Sequence, residues 1–536
     1  MKKWIAFVLS LCMALSLAGC GGSADVSEPT TVASAETGTI VHATAADVVK
    51  NFDVGIDSDL GDLSPFGASS TGRTYSKYAI YENLLQFNAF GQTVDEMERM
   101  IAKTVKVVDD LTAEVEIYDY VQDAAGNPIT AEDIKFCYDM CAESGNYPQL
   151  TTKMASCEVT GDYTLTFKFN SADVGTMEYV LGQVPIVSQK AYEESSDGML
   201  SNPISTAPYQ VKELSAGSYL VLEKNQNYWQ TDESLRTHFA TQEFDQITFN
   251  VIKESSQMSI GLETGAIDAA TSVSGSEISR FINEDGTPVD GYNVMSVYGG
   301  LTTWMGLNTT DQSPLADKNL RLAVMYGIDA QAIVDGTLNG KGRTVGTLGT
   351  PTSPDYKEKW EDTYFSYDLE KAKEYFAQSG YNAGEVTLRI MTQNTTAHNR
   401  AAEIIQAYLS QLGINCEILA YDSALFNTYK GDPSQWDIKI DQGGTSDYVV
   451  TTMYTALNSG GQDWIVDPEL NDLLDAGMAM ETYGEDSTQA LHEHLLEEAY
   501  VRGVYVTDSY TVSIDCIEMV RHPWGQLMAG ACHVVE

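Results

Sequence analysis

From about residue 50 onward, short strand patterns and amphipathic helix patterns take turns along the chain, and this rhythm restricts the fold more than any single motif. Leu165-Thr166-Phe167-Lys168-Phe169 alternates apolar and polar positions as a half-buried strand does. Thr130-Ala131-Glu132-Asp133 opens a helix with a variant capping box, in which Asp133 stands where Glu or Gln is usual. Ile134, Phe136, Cys137, Met140 and Cys141 supply its apolar face. Asp368 is placed to cap a helix running through Ala372, Tyr375 and Phe376, which Gly380 closes. Another helix is predicted over 401–412, with Ile404, Ile405, Tyr408, Leu409 and Leu412 on one face. Gly413 ends it, and a strand follows over 414–421. Such alternation predicts α/β lobes around mixed sheets. With 536 residues and no internal repeat, two or three lobes are expected.

The first twenty residues are of another kind. Lys2 and Lys3 precede an apolar run from Trp4 to Ala18, broken by Ser10 and Ser16 and too short for a comfortable membrane span. Its end, Leu17-Ala18-Gly19-Cys20, resembles a bacterial lipobox, which predicts cleavage before Cys20 and acylation of that cysteine. Residues 21–47 are rich in Gly, Ser, Ala, Thr and Glu and read as a flexible tether. No later stretch approaches the roughly 18 consecutive apolar residues of a spanning helix, so a soluble body is expected outside the cytoplasm, held to the membrane by lipid alone.

Against 31 Lys and Arg stand 76 Asp and Glu, a formal net charge of −45, which argues against nucleic acid or anionic lipid as a partner. Besides Cys12 and Cys20 there are six cysteines, at 137, 141, 157, 416, 516 and 532, without a CxxC. They are read mostly as small core residues.

Catalytic constellations are missing from the sequence. There is no GxSxG elbow, and His492-Glu493-His494 lacks the i, i+4 histidine spacing of HExxH; it is read as part of a solvated helix face. Gly340-Lys341-Gly342 fails as a phosphate loop, because Asp335 occupies the first glycine position and Gly342 follows the lysine. A binding protein without cofactor or metal is therefore expected, not an enzyme.

A series of short motifs then falls in a fixed order. Asp62-Leu63-Ser64-Pro65-Phe66 is followed by Tyr81-Glu82-Asn83-Leu84-Leu85, the helix start at Thr130, Pro185-Ile186-Val187-Ser188 and Ser205-Thr206-Ala207-Pro208-Tyr209. Next come Leu222-Glu223-Lys224-Asn225 with Tyr228-Trp229, and Gly265-Ala266-Ile267-Asp268. The later part has Asn308, Pro314-Leu315, Asp317, Arg321-Leu322-Ala323 and Tyr326-Gly327-Ile328-Asp329, then Tyr367-Asp368 with Ala372-Lys373 and Gly380-Tyr381. Together these resemble the family 5 extracellular solute-binding proteins, which serve ABC importers of oligopeptides, dipeptides and sometimes nickel.

The resemblance implies a type II periplasmic-binding fold of three lobes, with the ligand cleft between lobes I and III. Lobe I would comprise 48–95, 203–298 and 505–536, lobe II 96–202, and lobe III 299–504. It also implies a small peptide as ligand, permease and ATPase subunits as partners, and a monomeric receptor. Gly443-Gly444-Thr445-Ser446-Asp447-Tyr448 stands where peptide-binding members place the turn whose aspartate takes the ligand's α-ammonium. Asp447 is thus the expected ammonium anchor, with Gly443, Gly444, Thr445 and Ser446 offering backbone and Tyr448 following. A second wall is expected from Ser69, Ser70 and Thr71, and from the crossover carrying Tyr298 and Trp304; the two aromatics are read equally well as core residues. Alternatives are a receptor for nickel or a metal chelate, one for oligosaccharide and, from another class, an extracellular peptidase.

Overall fold

The computed structural model describes residues 43–67, 71–297, 301–338, 342–349, 351–444, 448–457, 464–480, 483–523 and 525–535. Cys20, Ser69, Ser70, Tyr298, Thr445, Ser446 and Asp447 lie outside the described residues.

Three main sheets organise the chain from residue 43 onward. The first has seven strands in the order Tyr292–Val297, Ser509–Ile514, Ala269–Val273, Phe52–Ile56, Gln246–Val251, Tyr219–Lys224 and Tyr209–Ser215. Phe52–Ile56 runs parallel to both of its neighbours, and every other pair is antiparallel. A central parallel strand is covered on both faces and reads as a near-continuous apolar run. Phe52, Val54 and Ile56 on one face are fully buried, and on the other Gly55 is buried and Asp53 half-buried.

A four-stranded antiparallel sheet, Ala102–Asp109, Thr112–Ile117, Thr164–Phe169 and Met154–Gly161, forms a separate layer. The strand expected at Leu165 is present, with Leu165, Phe167 and Phe169 inward. The helix Ala131–Ser144 begins at the expected capping box: Asp133 Oδ2 accepts from the Thr130 N–H and O–H, both at 2.8 Å.

The third sheet has six strands in the order Gly342–Thr344, Val501–Thr507, Leu301–Leu307, Ile438–Gly444, Thr387–Gln393 and Asn415–Tyr421. The helix read over 401–412 starts earlier, as Thr396–Ser410. Thr395 caps it by accepting from the His398 N–H at 3.1 Å, so a polar first turn precedes the apolar stripe. Asp368 caps its helix as expected, and Gly380 and Gly413 take the left-handed conformation at φ +79° and +77°.

Two histidines depart from the reading of their helix as a solvated face. His492 is buried and stacks on Trp360, and His494 Nε2–H donates to Asp467 Oδ2 at 2.5 Å, because helix Gln489–Glu498 is packed on both these sides. The cysteines at 137, 141, 157 and 532 are buried as thiols, and those at 416 and 516 are partly so.

Apolar burial falls into two main bodies. One core joins the seven-stranded and four-stranded sheets, from Val48 to Cys532 in sequence, with a smaller cluster on the seven-stranded sheet's other face. The second core, from Trp304 to Tyr505, belongs to the six-stranded sheet and its helices. The chain passes from the first sheet to the third after Val297 and returns after Thr507. Val297 pairs with Ser509, and Thr302 pairs with Val506, so the two crossings run side by side.

Candidate functional site

The strand directions decide which edges meet at these crossings. In the first sheet, Tyr510 beside the crossing pairs with Val273, the carboxyl end of Ala269–Val273, and the parallel strand Phe52–Ile56 ends on the same side. In the third sheet, Leu301 and Thr302 beside the crossing pair with Gly444 and Gly443, the carboxyl end of Ile438–Gly444. Thr387–Gln393 is parallel to that strand and ends there too. Carboxyl ends of parallel strands from both bodies therefore meet at the crossings, which is where open α/β sheets bind ligands.

On the first body's wall, Asp57 follows Phe52–Ile56, and Tyr75 stands on the helix Thr71–Ile80. Tyr75 is buried and hydrogen-bonds the Thr271 and Ser272 side chains; burial raises its pKa. Ser272 has φ +56°, in a register shift between Ala270 and Val273. Left-handed backbone without glycine costs on the order of 1–3 kcal/mol and gathers at functional sites. Of the expected wall residues, Thr71 begins this helix.

On the second body's wall, Gly443 lies over Trp304. A Cβ at Gly443 would sit 3.6 Å from the indole Nε1. Trp304 itself is buried, with Trp464 6.4 Å away and the Lys439 Nζ 5.0 Å from its ring centroid. Lys439 is also 5.1 Å from the Trp436 ring and 4.7 Å from the Trp464 ring. Burial lowers the Lys439 ammonium to about 8, against the pull of Asp441. Trp304 thus forms part of an aromatic cage around a buried lysine beneath the strand end. Tyr448 is buried and packs on Tyr483 with ring centroids 4.7 Å apart.

Sequence reasoning missed His398 and Thr392. His398 is 4% exposed at the start of its helix, interacts with Gln442, and has no hydrogen-bond partner at Nδ1 among the described residues. Burial lowers its pKa, opposed by Asp441 and Gln442. Thr392, fully buried on the neighbouring strand, likewise has no partner at Oγ1 among them. A polar residue one turn from a helix start carries no sequence signal unless the strand end beside it is known.

One further feature concerns the backbone. Thr387–Gln393 pairs with Ile438–Gly444 only at Ile390 with Ile438 and Met391 with Lys439. From Asp441 to Gly444 the strand keeps a single described neighbour, Leu301–Trp304 in register. Its other side has no partner strand among the described residues, with the Gln442 N–H turned to Asp441 Oδ1 at 2.9 Å, and an edge without a partner strand is a template for another extended chain.

No group of three or more His, Cys, Asp or Glu positioned to hold a metal occurs among the described residues. None of the described helices is long and apolar enough to cross a membrane.

Comparison with known proteins agrees with this architecture. The sequence model for bacterial extracellular solute-binding proteins, family 5 Middle, matches residues 96–464. The oligopeptide-binding protein AppA of Bacillus subtilis (strain 168) is 25% identical over 374 residues, 63% of each chain, so this chain spans less than two thirds of that relative. The nickel-binding periplasmic protein of Escherichia coli (strain K12) is 22% identical over 498 residues, 88% of this chain and 90% of the other. The crystal structure of the ABC transporter substrate-binding protein CtaP from Listeria monocytogenes superposes with a TM-score of 0.72 at 16% identity, over 91% of this chain and 99% of that one. The chain belongs to the bacterial extracellular solute-binding proteins of family 5.

Proposed function

We propose that this protein is the peptide receptor of an ABC importer. The observation that carries the reading is the open edge at 441–444, beside the crossings and ending in two glycines. An extended peptide adds there as a strand, drawing affinity from main-chain hydrogen bonds while leaving its side chains largely unread. The oligopeptide-binding relative points the same way. A metal receptor is less well supported, since His398 stands at the strand edge in no group of three or more potential ligands among the described residues, while His238 pairs with Glu98, His494 with Asp467, and His492 and His522 stack on Trp360 and Tyr78.

In this reading 48–95, 203–298 and 505–536 act with 96–202 as one body and 299–504 as the other, and peptide draws the two together. Asp447 is the anchor in this reading, its carboxylate taking the peptide's α-ammonium while Thr445 and Ser446 offer backbone. A closed cleft strips water from that cation, and a fixed carboxylate replaces what is lost. Ser69, Ser70, Thr71 and Tyr298 face the peptide from the other wall. Acyl chains on Cys20 hold a monomeric receptor on the outer face of the membrane, where permease and ATPase subunits receive its cargo.

Titration calorimetry with unblocked and N-acetylated peptides tests the assignment. Breaking one side of a buried ion pair costs roughly 3–5 kcal/mol, so Asp447→Asn should weaken binding on the order of a hundredfold or more. Acetylation should do similar damage to the parent and little more to the variant. If the variant binds free peptides as tightly as the parent, Asp447 is not the anchor. If no peptide binds the parent, a nickel chelate or an oligosaccharide becomes the ligand to test.

A further inference from the structure

Among the described residues the two bodies also touch away from the crossing strands, at points that include the following. Gly91, between the first-core residues Phe87 and Val94, lies directly against Pro354 of the second body. A methyl group built on Gly91 would overlap Pro354 Cγ and sit 2.9 Å from Cδ, but 3.4 Å from Cβ. Val174, in the loop between strand Thr164–Phe169 and helix Thr176–Gln183, packs its side chain on the second core. Its N–H donates to the Met478 carbonyl at 3.2 Å. That carbonyl is in the last turn of helix Pro468–Met478, where no partner within the helix is available. Gly175 meets Tyr448 next to it, with 3.8 Å from its Cβ position to the ring.

Two of these points are joined within the second body. The Asp355 carboxylate, beside Pro354, accepts from the Val449 and Val450 amides at 2.8 and 3.0 Å. These amides open the helix Val449–Leu457 directly after Tyr448. Around the contacts the seam stays loose, with a cavity of about 790 Å³ lined by Gly91, Val174, Gly175, Pro354, Tyr448 and Tyr483 among others. A seam held at points and not close-packed gives up little dispersion energy when it opens.

We propose that Gly91 on Pro354, Val174 on Met478 and Gly175 on Tyr448 form a releasable clasp that latches the closed receptor, with Asp355 tying the clasp to the ligand-binding turn. The proposal rests on the reading that solute draws the two bodies together. A ligand held beside Tyr448 bears on one clasp point, and through the Asp355 bonds to the Val449 and Val450 amides on the other. The clasp residues touch no ligand; they are positioning residues that set how long the closed form lasts. Weakening the clasp should leave association unchanged, speed dissociation, and reduce apparent affinity by the lost closed population.

The test is the variant Gly91→Ala, alone and with Pro354→Ala. Gly91 has φ +70°, so alanine is strained there in both backgrounds. The overlap with Pro354 Cγ and Cδ is removed only in the pair, which leaves the Cβ at an ordinary 3.4 Å. Spin labels on cysteines at the exposed Val108 and Val466, without the partly exposed Cys416 and Cys516, report the distance between the bodies. The solute is an equimolar mixture of unblocked tri- to pentapeptides. Gly91→Ala should lose the short-distance population and release peptide on the order of tenfold faster, and Pro354→Ala should restore both. A Gly91→Ala protein indistinguishable from the parent, or a defect that Pro354→Ala does not rescue, overturns the clasp. If the mixture binds none of the proteins, the ligand-free distance distributions decide. A short-distance population lost in Gly91→Ala and recovered in the pair sustains the clasp while the peptide reading falls, and identical distributions overturn the clasp.

Discussion

Glu82 has no exposed surface to speak of, at 2%, and accepts from the Tyr228 hydroxyl at 2.5 Å and the Trp229 Nε1–H at 2.9 Å. Burial pushes its carboxyl up to about 8 from an ordinary 4.5, against the pull of those two donors. The folded protein therefore keeps a proton between pH 4.5 and 8 that the unfolded chain has lost, and stability falls as pH rises through that window. Other groups titrate there as well. His492 and His522, each lowered to about 3 by burial, make stability rise with pH up to 6.5, and Asp268, raised to about 6 by burial, makes it fall up to 6. Lys439 acts above about 8. From pH 6.5 to 8 the slope belongs chiefly to Glu82, about 1.4 kcal/mol per pH unit and about 2 kcal/mol across the window. Urea melts should show Glu82→Gln flattening that slope, at a cost of about 1 kcal/mol for the bond its amide cannot accept. A slope equal to the parent's would mean that Glu82 is ionised in the native state.

Among the elements, helix Val449–Leu457 depends most on a distant residue. Its Val449 and Val450 amides are satisfied by Asp355, nearly a hundred residues earlier in the chain and fully buried. The Asp355 backbone carbonyl in turn accepts from Thr488 Oγ1 at 3.1 Å. Asp355→Ala would leave two helix-opening amides buried without an acceptor, each costing about 1–3 kcal/mol. Asp355→Asn keeps one acceptor oxygen and should lose roughly half as much. Thermal unfolding should rank parent, Asn and Ala in that order; an Ala variant as stable as the parent would show the amides finding water instead. The sequence revealed local caps such as Thr130 with Asp133 and Asp368 with Lys371, because their partners are three residues apart. Asp355 carried no such signal, since its helix begins elsewhere in the chain.

At the scale of the whole molecule, two separate cores are joined by adjacent crossing strands, and the contacts of Gly91, Val174 and Gly175 are what bending there would have to release. The anchor belongs to this scale too. If Cys20 bears the lipid, Cys20→Ser should abolish metabolic labelling by fatty acid and release the protein from membranes or leave it uncleaved. Peptide affinity of the purified body should stay unchanged, since the cleft lies far along the chain from residue 20 and is built from residues 52 onward. Labelling of the variant equal to the parent's would place the anchor elsewhere.

The motifs legible in the sequence turn out to hold the scaffold. Glu82 meets Tyr228 and Trp229, Asp268 accepts from the Asp53 N–H at 2.9 Å, and Asn308 Nδ2 donates to the carbonyls of Pro433 and Trp436. Arg321 donates to the carbonyls of Leu315, Ala316 and Glu498. Buried polar groups must be satisfied in one particular way, so they leave ordered residue patterns from which the α/β class and the family can be read. The cleft has no such constraint. Tyr75 meets Thr271 and Ser272 from nearly two hundred residues away, and His398 meets Gln442 at the strand edge, through the directions of strands in two different sheets. The sequence alone determined the acidic body and the fold family. Which backbone edge stays open, which tryptophans cage a lysine and which glycine must yield to a proline were decided by the tertiary structure, because each depends on register and packing between elements that no local spacing records.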